Sequence, residues 1–198
     1  GNLSWDWLQE FGEVDVYERT PDELAAQRIG DAQIVLLNKT PITRALLERC
    51  PSVKLICVLA TGYNVVDCAA AREKGVVVCN VPDYGTAAVA QFTFALILEL
   101  CSRVGHHDSL VHSGVWENCP DFCFWDTPQA ELAGKTIGIV GFGRIGRAVG
   151  KLARAFGMEV LAFNPSRCEE GAAIGSYVDL DTLLEKADIV SLHCPLKE

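Results

Sequence analysis

The sequence has no apolar run close to the roughly 20 residues that a membrane-spanning helix requires. Within the 198 residues, no apolar segment follows a basic start, so the pattern of a secretory signal is missing. Basic residues are also few, because 17 Lys and Arg stand against 26 Asp and Glu, for a formal net charge of −9. An acidic chain does not attract nucleic acid or an anionic membrane surface. We therefore expect a cytoplasmic protein with neither of these partners.

The chain contains nine cysteines but no CxxC pair. Several lie in apolar runs such as KLICVLA and VVVCN, which is typical of reduced thiols and not of a disulfide framework. Cys119 and Cys123 have no second ligand pair at the spacing of a zinc site. His106, His107 and His112 are interpreted as a solvated helix end. The sequence predicts no metal site.

In the first half of the chain, apolar runs rich in β-branched residues alternate with helical stretches. The segments EVDVYE, QIVLL, KLICVLA and VVVCNVP have the composition of strands, and LSWDWLQEF, PDELAAQRI, ITRALLERC and VVDCAAAREKG that of helices. Continuously apolar strands that alternate with helices are typical of a parallel sheet covered on both faces. Because the alternation begins with a helix, we expect the natural chain to contain a further strand upstream of Gly1.

The second half repeats the alternation after a long apolar stretch. Residues 86–111 predict one helix of about 26 residues, longer than a typical globular helix, which would connect two domains. An irregular aromatic segment, WENCPDFCFWDTPQAEL, precedes the strands KTIGIVGF, MEVLAFN and DIVSLHC and the helices RIGRAVGKLARAF and LDTLLEKA. Three strands are one half of a six-stranded dinucleotide-binding fold. We predict two incomplete domains, residues 1–98 and 99–198.

The segment GFGRIG places Gly141, Gly143 and Gly146 in the GxGxxG spacing, after a predicted strand and at the start of a predicted helix. In that context the spacing is typical of a dinucleotide site. Gly141 would permit the tight turn, Gly143 the approach of a pyrophosphate, and Gly146 the close packing of the helix on the sheet. Ile145, inside the same turn, is assigned to the cofactor site with them. Arg144 is either a phosphate ligand or a solvated residue of the first helical turn.

The end of the following strand, EVLAFNPSR, has Asn164 where a dinucleotide-binding enzyme usually has an acidic residue. A carboxylate there accepts bonds from the ribose hydroxyls of NAD and repels a 2′-phosphate, whereas an asparagine is uncharged. Ser166 and Arg167 follow closely. This arrangement predicts a 2′-phosphate site and a preference for NADP(H) over NAD(H). The alternative is that Arg167 points to solvent and NAD binds.

Three long segments together resemble the D-isomer-specific 2-hydroxyacid dehydrogenases. They are LATGYNVVDCAAAREKGVVVCNVPDYGTAAVAQFTFALIL, ELAGKTIGIVGFGRIGRAVGKLARAFGMEVLAFNPSR and DLDTLLEKADIVSLHCPLKE. The segment HSGVWENCPDFCFWDTP resembles the hydroxypyruvate reductase, or glycerate dehydrogenase, branch. The resemblance implies an α/β protein with a flavodoxin-like substrate-binding domain, followed here by the first half of a Rossmann domain. It also implies hydride transfer between NAD(P)H and a small 2-keto acid such as hydroxypyruvate or glyoxylate.

The resemblance assigns a substrate-binding loop and a facing aromatic residue. Ala60, Thr61 and Gly62, with the adjoining Tyr63, match the family segment whose backbone amides bind the substrate carboxylate. A glycine suits that place because an anion can approach an amide closely where no Cβ intrudes. Tyr84 in VPDYG matches a position that faces the substrate. From the residues alone, both segments are merely turns.

At the end of the last strand, Cys194 and Pro195 match family residues that line the cofactor near the nicotinamide. His193 does not match the catalytic histidine of the family and is interpreted as a strand-end residue. The family's substrate-clamping arginine, and the glutamate-assisted histidine that protonates the substrate oxygen, have no counterpart in these 198 residues. We therefore expect a chain cut at both ends that lacks turnover by itself.

Members of the family are usually dimers through the cofactor domain and its connecting helix. The apolar segment TFALILEL is consistent with a homodimer of the full-length protein and equally with a plain core. Transcriptional corepressors that sense nicotinamide cofactors use the same fold. A dinucleotide-sensing binding protein is therefore the alternative to an enzyme.

Overall fold

The computed structural model describes residues 4–195, and the chain divides into two compact units, Gly1–Tyr84 and Gly85–Glu198. The division precedes the apolar stretch, whereas the sequence placed the domain boundary after residue 98. The reason is that the first long helix of the second unit packs against that unit, with Ala90, Phe94 and Ile97 in the unit's hydrophobic core. Both units are α/β with parallel strands, as predicted.

The first unit is a three-stranded parallel sheet with helices on one face. A 3-10 helix, Asp6–Phe11, precedes helices α1 (Asp22–Ile29), α2 (Arg44–Arg49) and α3 (Cys68–Glu73), which alternate with strands β1 (Ile34–Leu37), β2 (Leu55–Val58) and β3 (Val77–Asn80). The order is β1-β2-β3. The side chains of Thr43 and Asp67 cap α2 and α3 by accepting from the N–H groups of Leu46 and Ala70.

Only one face of this sheet is covered by the described residues. Ile56 and Val58 are buried against the three helices. The side chains of Ile34, Leu36 and Val77 lie on the opposite face of the sheet and are exposed. The sequence predicted coverage on both faces, because continuously apolar strands are typical of a fully buried sheet. All three described helices lie in one hydrophobic cluster, so nothing described shields the opposite residues.

The predicted strand EVDVYE is wrong. Residues 13–18 have no strand pairing, and Val16 and Tyr17 are exposed. A strand needs a neighbouring strand for its backbone hydrogen bonds, and none of the strands in residues 4–195 lies beside this segment. The guanidinium of Arg28 instead lies over the Tyr17 ring, 4.5 Å from its centroid.

The second unit begins with two helices where the sequence predicted one. Helix α4 (Thr86–Ser102) and helix α5 (Val104–His112) meet at Arg103, whose φ of 46° is left-handed. A left-handed residue cannot continue an α-helix, so the chain bends there. In the part of the chain that the structure describes, no single helix is long and apolar enough to cross a membrane. Only α4 and α5 taken together meet that criterion, across a bend of 57°.

After the irregular aromatic segment, the chain forms a four-stranded parallel sheet. Strands β4 (Thr136–Val140), β5 (Glu159–Phe163), β6 (Ser176–Tyr177) and β7 (Ile189–Leu192) alternate with helices α6 (Arg144–Ala155), α7 (Glu169–Ala172) and α8 (Leu180–Lys186). The order β6-β5-β4-β7 corresponds to strands 3-2-1-4 of the doubly wound dinucleotide fold. The sequence missed α7 and β6, so DIVSLHC is the fourth strand of this sheet and not the third.

The central strand of this sheet, β4, is covered on both faces. Ile137 and Ile139 lie in the core with Val149 of α6. On the opposite face, a Cβ placed on Gly138 would lie 2.4 Å from Cδ2 of Leu183 in α8. The strand order reverses between β4 and β7, and ligands of such sheets bind at the carboxyl ends of the strands at that reversal.

Candidate dinucleotide-binding site

The glycine turn leaves β4 at the point where three strands end together. Gly141 has a φ of +93°, which favours glycine, and its N–H donates to the carbonyl oxygen of Phe163 at the end of β5. A Cβ on Gly141 would lie 2.5 Å from the backbone nitrogen of Cys194 and the backbone carbon of His193. The turn is therefore in close contact with the ends of both neighbouring strands, β5 and β7.

The first and third glycines of the motif are required by the chain itself. Gly141 has the left-handed conformation of the predicted tight turn. A Cβ on Gly146, the third glycine, would lie 2.2 Å from the carbonyl oxygen of Gly141, so α6 could not pack against the turn with any side chain there. These contacts explain two of the three glycines without a ligand.

Gly143, the middle glycine, has no such explanation within the protein. Its φ of −75° and ψ of −158° are open to any residue, and a Cβ there would meet no atom within 4 Å. Gly143 lies immediately before α6, and no side chain caps this helix end. Unpaired N–H groups and the positive end of the helix dipole make such a turn suitable for a phosphate. The residues thus fit a pyrophosphate that approaches over Gly143, while Arg144 is exposed and Ile145 half-buried beside it.

The loop after β5 is attached to this turn through Asn164. Its Oδ1 accepts from the N–H of Phe142 at 3.1 Å, and its amide nitrogen donates to the carbonyl oxygen and the hydroxyl of Ser166 at 2.6 and 3.1 Å. Both amide hydrogens therefore have acceptors inside the loop. Asn164 orders its own loop, a role that the sequence analysis did not assign to it.

Arg167 extends from this loop beside strand β6. Its guanidinium carbon lies 5.7 Å from the centroid of the Tyr177 ring, within cation–π range. An open depression of about 540 Å³ borders this pair, lined also by Cys168 and Glu169. Sequence reasoning missed Tyr177, because a strand of two residues has no periodicity that could reveal it.

Two further basic side chains near this loop share one carboxylate as their partner. Glu170 pairs with Arg147 at 3.2 Å and with Lys151 at 3.0 Å. The hydrogen bond from Lys151, followed by the charge of Arg147, holds the pKa of Glu170 below its ordinary value. Arg147 also lies 3.8 Å from the Sγ of Cys168. The hydrogen bond from the Gly171 backbone and then that from the Tyr177 hydroxyl lower the pKa of the Cys168 thiol, with Arg147 adding to the effect.

The end of β7 supplies the residues opposite the glycine turn. The N–H of His193 donates to the carbonyl oxygen of Val140 at 2.7 Å, and its Nε2 lies 2.9 Å from the hydroxyl of Ser191. Burial lowers the pKa of His193 below its ordinary value and so favours the neutral imidazole. Cys194 and Pro195 follow on the exposed side of the strand end. The interpretation of His193 as a strand-end residue agrees with this geometry.

In the first unit, the loop after β2 presents unpaired backbone amides. The hydroxyl of Thr61 donates to the carbonyl oxygen of Val81 at 3.0 Å, and the amide of Asn80 donates to the carbonyl oxygen of Thr61 at 2.8 Å. These bonds, with that from the Val81 N–H to the carbonyl oxygen of Ala60, join the loop to the end of β3. No acceptor within residues 4–195 pairs with the N–H groups of residues 61–63. Such amides suit a carboxylate.

Gly62 resembles Gly143 in having no internal reason to be glycine. Its φ is not left-handed, and a Cβ would meet only the Oδ1 of Asn64 at 3.5 Å, an ordinary contact. Tyr84 is exposed at the end of this unit. The structure thus brings Ala60, Thr61 and Gly62 together in one loop and the glycine turn, Asn164, Ser166, Arg167 and Cys194 together in the second unit.

Neither Cys119 with Cys123 nor the three histidines of α5 form a metal site. In residues 4–195 no group of three or more His, Cys, Asp or Glu side chains could hold a metal ion. His106 instead pairs with Asp126 at 2.6 Å, which attaches the irregular aromatic segment to α5. All nine cysteines lie in the described residues as free thiols.

The chain is similar in sequence to known proteins. The model of the family described as D-isomer specific 2-hydroxyacid dehydrogenase, NAD binding domain, matches residues 94–198. A hydroxypyruvate reductase of Blautia hydrogenotrophica is 53% identical over 99% of this chain and 62% of its own length. The chain therefore spans less than two thirds of that relative.

Two solved structures have a similar fold. D-lactate dehydrogenase from Aquifex aeolicus, complexed with NAD and lactic acid, has a TM-score of 0.82 and 29% identity over 98% of this chain and 58% of its own. An acyclic imino acid reductase in complex with NADPH and D-Arg has the same TM-score and identity over 98% of this chain and 62% of its own. With more than half of its residues matched by the family model, the chain belongs to the D-isomer specific 2-hydroxyacid dehydrogenases.

Proposed function

We propose that this chain forms the cofactor-binding part, and some of the substrate-binding part, of an NAD(P)-dependent oxidoreductase. The reaction is hydride transfer between the nicotinamide cofactor and a small 2-keto or 2-hydroxy acid. Hydroxypyruvate or glyoxylate is the proposed substrate, since the similar proteins include a hydroxypyruvate reductase and a glyoxylate reductase. The observation on which this proposal rests is Gly143, which leaves room for an approaching pyrophosphate and which no close contact in residues 4–195 requires to be glycine.

The residues of this chain bind and orient, and the bound cofactor supplies the hydride. The turn at Gly141–Gly146 with the N-terminus of α6 would hold the pyrophosphate. Cys194 and Pro195 would line the nicotinamide end, because they follow β7 at the reversal of the strand order. The free amides of residues 61–63 would hold the substrate carboxylate. None of these groups transfers a proton to the substrate.

We further propose that NADP(H) is preferred over NAD(H). No carboxylate is present at position 164, and Asn164 uses both amide hydrogens within its loop. Arg167 contributes a positive charge that no carboxylate among residues 4–195 neutralises. A 2′-phosphate would find the cation of Arg167 and no repelling carboxylate at position 164.

Fluorescence titration of NADPH and NADH against the chain tests this preference. We expect tighter binding of NADPH, and an Arg167→Ala variant should lose about tenfold in NADPH affinity with little change for NADH. Arg154→Ala is the matched control, because Arg154 is an exposed arginine of the same unit in the last turn of α6. Equal affinities that Arg167→Ala leaves unchanged would contradict the preference.

The chain by itself should bind cofactor without turnover. The family resemblance matches the catalytic arginine, glutamate and histidine to no residue of this chain. An assay with NADPH, NADH and hydroxypyruvate should therefore show no oxidation of the reduced cofactor above background. Robust turnover would place the catalytic groups within these 198 residues and contradict the proposal.

We also propose that the full-length protein is a cytoplasmic homodimer joined through α4. Val89, Phe92, Leu96 and Leu100 recur along one side of this helix and are exposed, Leu100 to 79%. A row of large exposed apolar side chains on a helix whose other side lies in the core suits a second copy of the same surface. Light scattering on the full-length protein should show a dimer, and the Leu96→Glu substitution should dissociate it. The proposed cytoplasmic location is supported by the nine free thiols, which suit a reducing compartment.

A further inference from the structure

Tyr177 has several contacts besides that with Arg167. Its ring meets that of Phe142 edge to face, with centroids 5.7 Å apart and planes at 89°. Its hydroxyl lies 3.8 Å from the Sγ of Cys168 and so close to Gly171 that a Cβ there would lie 2.2 Å from it. In the parallel pairing of β6 with β5, Tyr177 lies opposite Ala162. A ring fixed by the turn residue Phe142 and by the sheet can serve as a platform for a mobile side chain.

Arg167 contacts this ring through its guanidinium group. Its guanidinium carbon lies over the ring, and no carboxylate within the described chain pairs with it. Arg147 and Lys151, by contrast, both pair with Glu170. An exposed arginine with no partner samples many rotamers, and fixing it at the moment of binding costs conformational entropy. A cation–π contact made before binding reduces that cost.

From these contacts we infer that Tyr177 is a positioning residue for cofactor selection: it holds Arg167 over its ring in the orientation that receives a 2′-phosphate. This inference rests on the proposed NADP(H) preference and adds the residue that makes Arg167 effective. Tyr177 itself does not touch the reacting atoms. The ring is the active part, so the hydroxyl is dispensable for selection.

The ratio of NADPH to NADH affinity measures this role. In Tyr177→Leu, which removes the ring, the ratio should fall about two- to fivefold, through weaker NADPH binding and with NADH unchanged. Tyr177→Phe keeps the ring and should keep the ratio. In the double variant Arg167→Ala with Tyr177→Leu, the loss should equal that of Arg167→Ala alone, because the ring acts only through the arginine. In titrations with fragments of the cofactors, Tyr177→Leu should weaken the binding of adenosine 2′,5′-bisphosphate and leave that of 5′-AMP unchanged.

Tyr17→Leu is the matched control, since it removes the same kind of contact, that with Arg28, from the first unit. It should leave both affinities unchanged. Suppose that Arg167→Ala lowers NADPH affinity but Tyr177→Leu leaves the affinity ratio unaltered. This result would overturn the inference about Tyr177 and leave the proposed NADP(H) preference standing. Equal affinities of the unmodified chain for NADPH and NADH would overturn the proposed preference and the inference with it.

A second measurement applies if Tyr177→Leu does not fold. In the unmodified chain labelled at arginine, the side-chain proton resonances of Arg167, assigned by their loss in Arg167→Ala, should be shifted upfield by the ring. Adenosine 2′,5′-bisphosphate should move these resonances, and 5′-AMP should not. Random-coil shifts in the free protein would overturn the inference.

Discussion

The Oδ1 of Asn164 accepts a hydrogen bond of 3.1 Å from the backbone N–H of Phe142, and this bond joins the loop after β5 to the glycine turn. The amide nitrogen of Asn164 donates to Ser166 at the same time. An ionised aspartate could accept from Phe142 but has no hydrogen to donate to Ser166. The amide therefore connects the two halves of the candidate cofactor site without adding a negative charge.

Asn164→Asp should reverse the cofactor preference. The new carboxylate would repel a 2′-phosphate and accept bonds from ribose hydroxyls, so NADPH affinity should fall about tenfold while NADH affinity stays or rises. Fluorescence titration of both cofactors measures this change. Asn118→Asp adds the same charge outside the loop and should leave both affinities as they are. Equal losses for the two cofactors would indicate a damaged loop and contradict the charge argument.

Gly146→Ala should destabilise the chain even without cofactor. Its Cβ would lie 2.2 Å from the carbonyl oxygen of Gly141, where only backbone can give way. We expect a loss of about 2–3 kcal/mol in the free energy of unfolding. Chemical denaturation of the cofactor-free protein measures it. Gly105→Ala is the control, because its Cβ meets only the flexible end of Glu99 at 3.5 Å, and an unchanged midpoint in Gly146→Ala would contradict the packing.

Cys168 should react with iodoacetamide at lower pH than an ordinary thiol. The bond from the Gly171 backbone, followed by that from the Tyr177 hydroxyl, lowers its pKa from the usual value of 9.0, and only the thiolate reacts. The pH profile of its alkylation, read as the difference between the chain and Cys168→Ser, should therefore have its midpoint below 9.0. Because Cys168 adjoins Arg167, NADPH should slow the reaction more than NADH. A midpoint at or above the usual value would refute the assigned contacts.

The elements that were predicted correctly are those that a short stretch of sequence indicates by itself. Strands β1 to β5 and β7 were predicted because each contains a short apolar run, the pattern that is typical of parallel strands. The glycine motif was also readable, since two of its three glycines follow from backbone geometry alone. EVDVYE failed as a strand because a strand depends on a neighbour that the pattern itself cannot supply.

The features missed at the site depend on contacts between segments distant in sequence. Tyr177 lies in a strand of two residues, and its importance comes from Phe142 and Arg167, which no spacing rule connects with it. Arg103 breaks the long helix although it is neither glycine nor proline, whereas Gly105, the nearest helix-weakening residue, lies inside α5. The amide of Asn164 donates to the carbonyl oxygen of Ser166, two residues on, and Asn is a residue type that bonds locally in turns; the bond from Phe142 to its Oδ1, in contrast, joins distant segments.

The most direct test of the account is NADPH binding by Gly143→Ala. Gly105→Ala is again the control, since a Cβ at either position avoids a close clash within the protein. Both variants should show the thermal stability of the unmodified chain. We predict that Gly105→Ala binds NADPH normally and that Gly143→Ala loses at least about tenfold in affinity, because its methyl group fills the space of the pyrophosphate. Undiminished NADPH binding by a folded Gly143→Ala would contradict the assignment of this turn as the cofactor site.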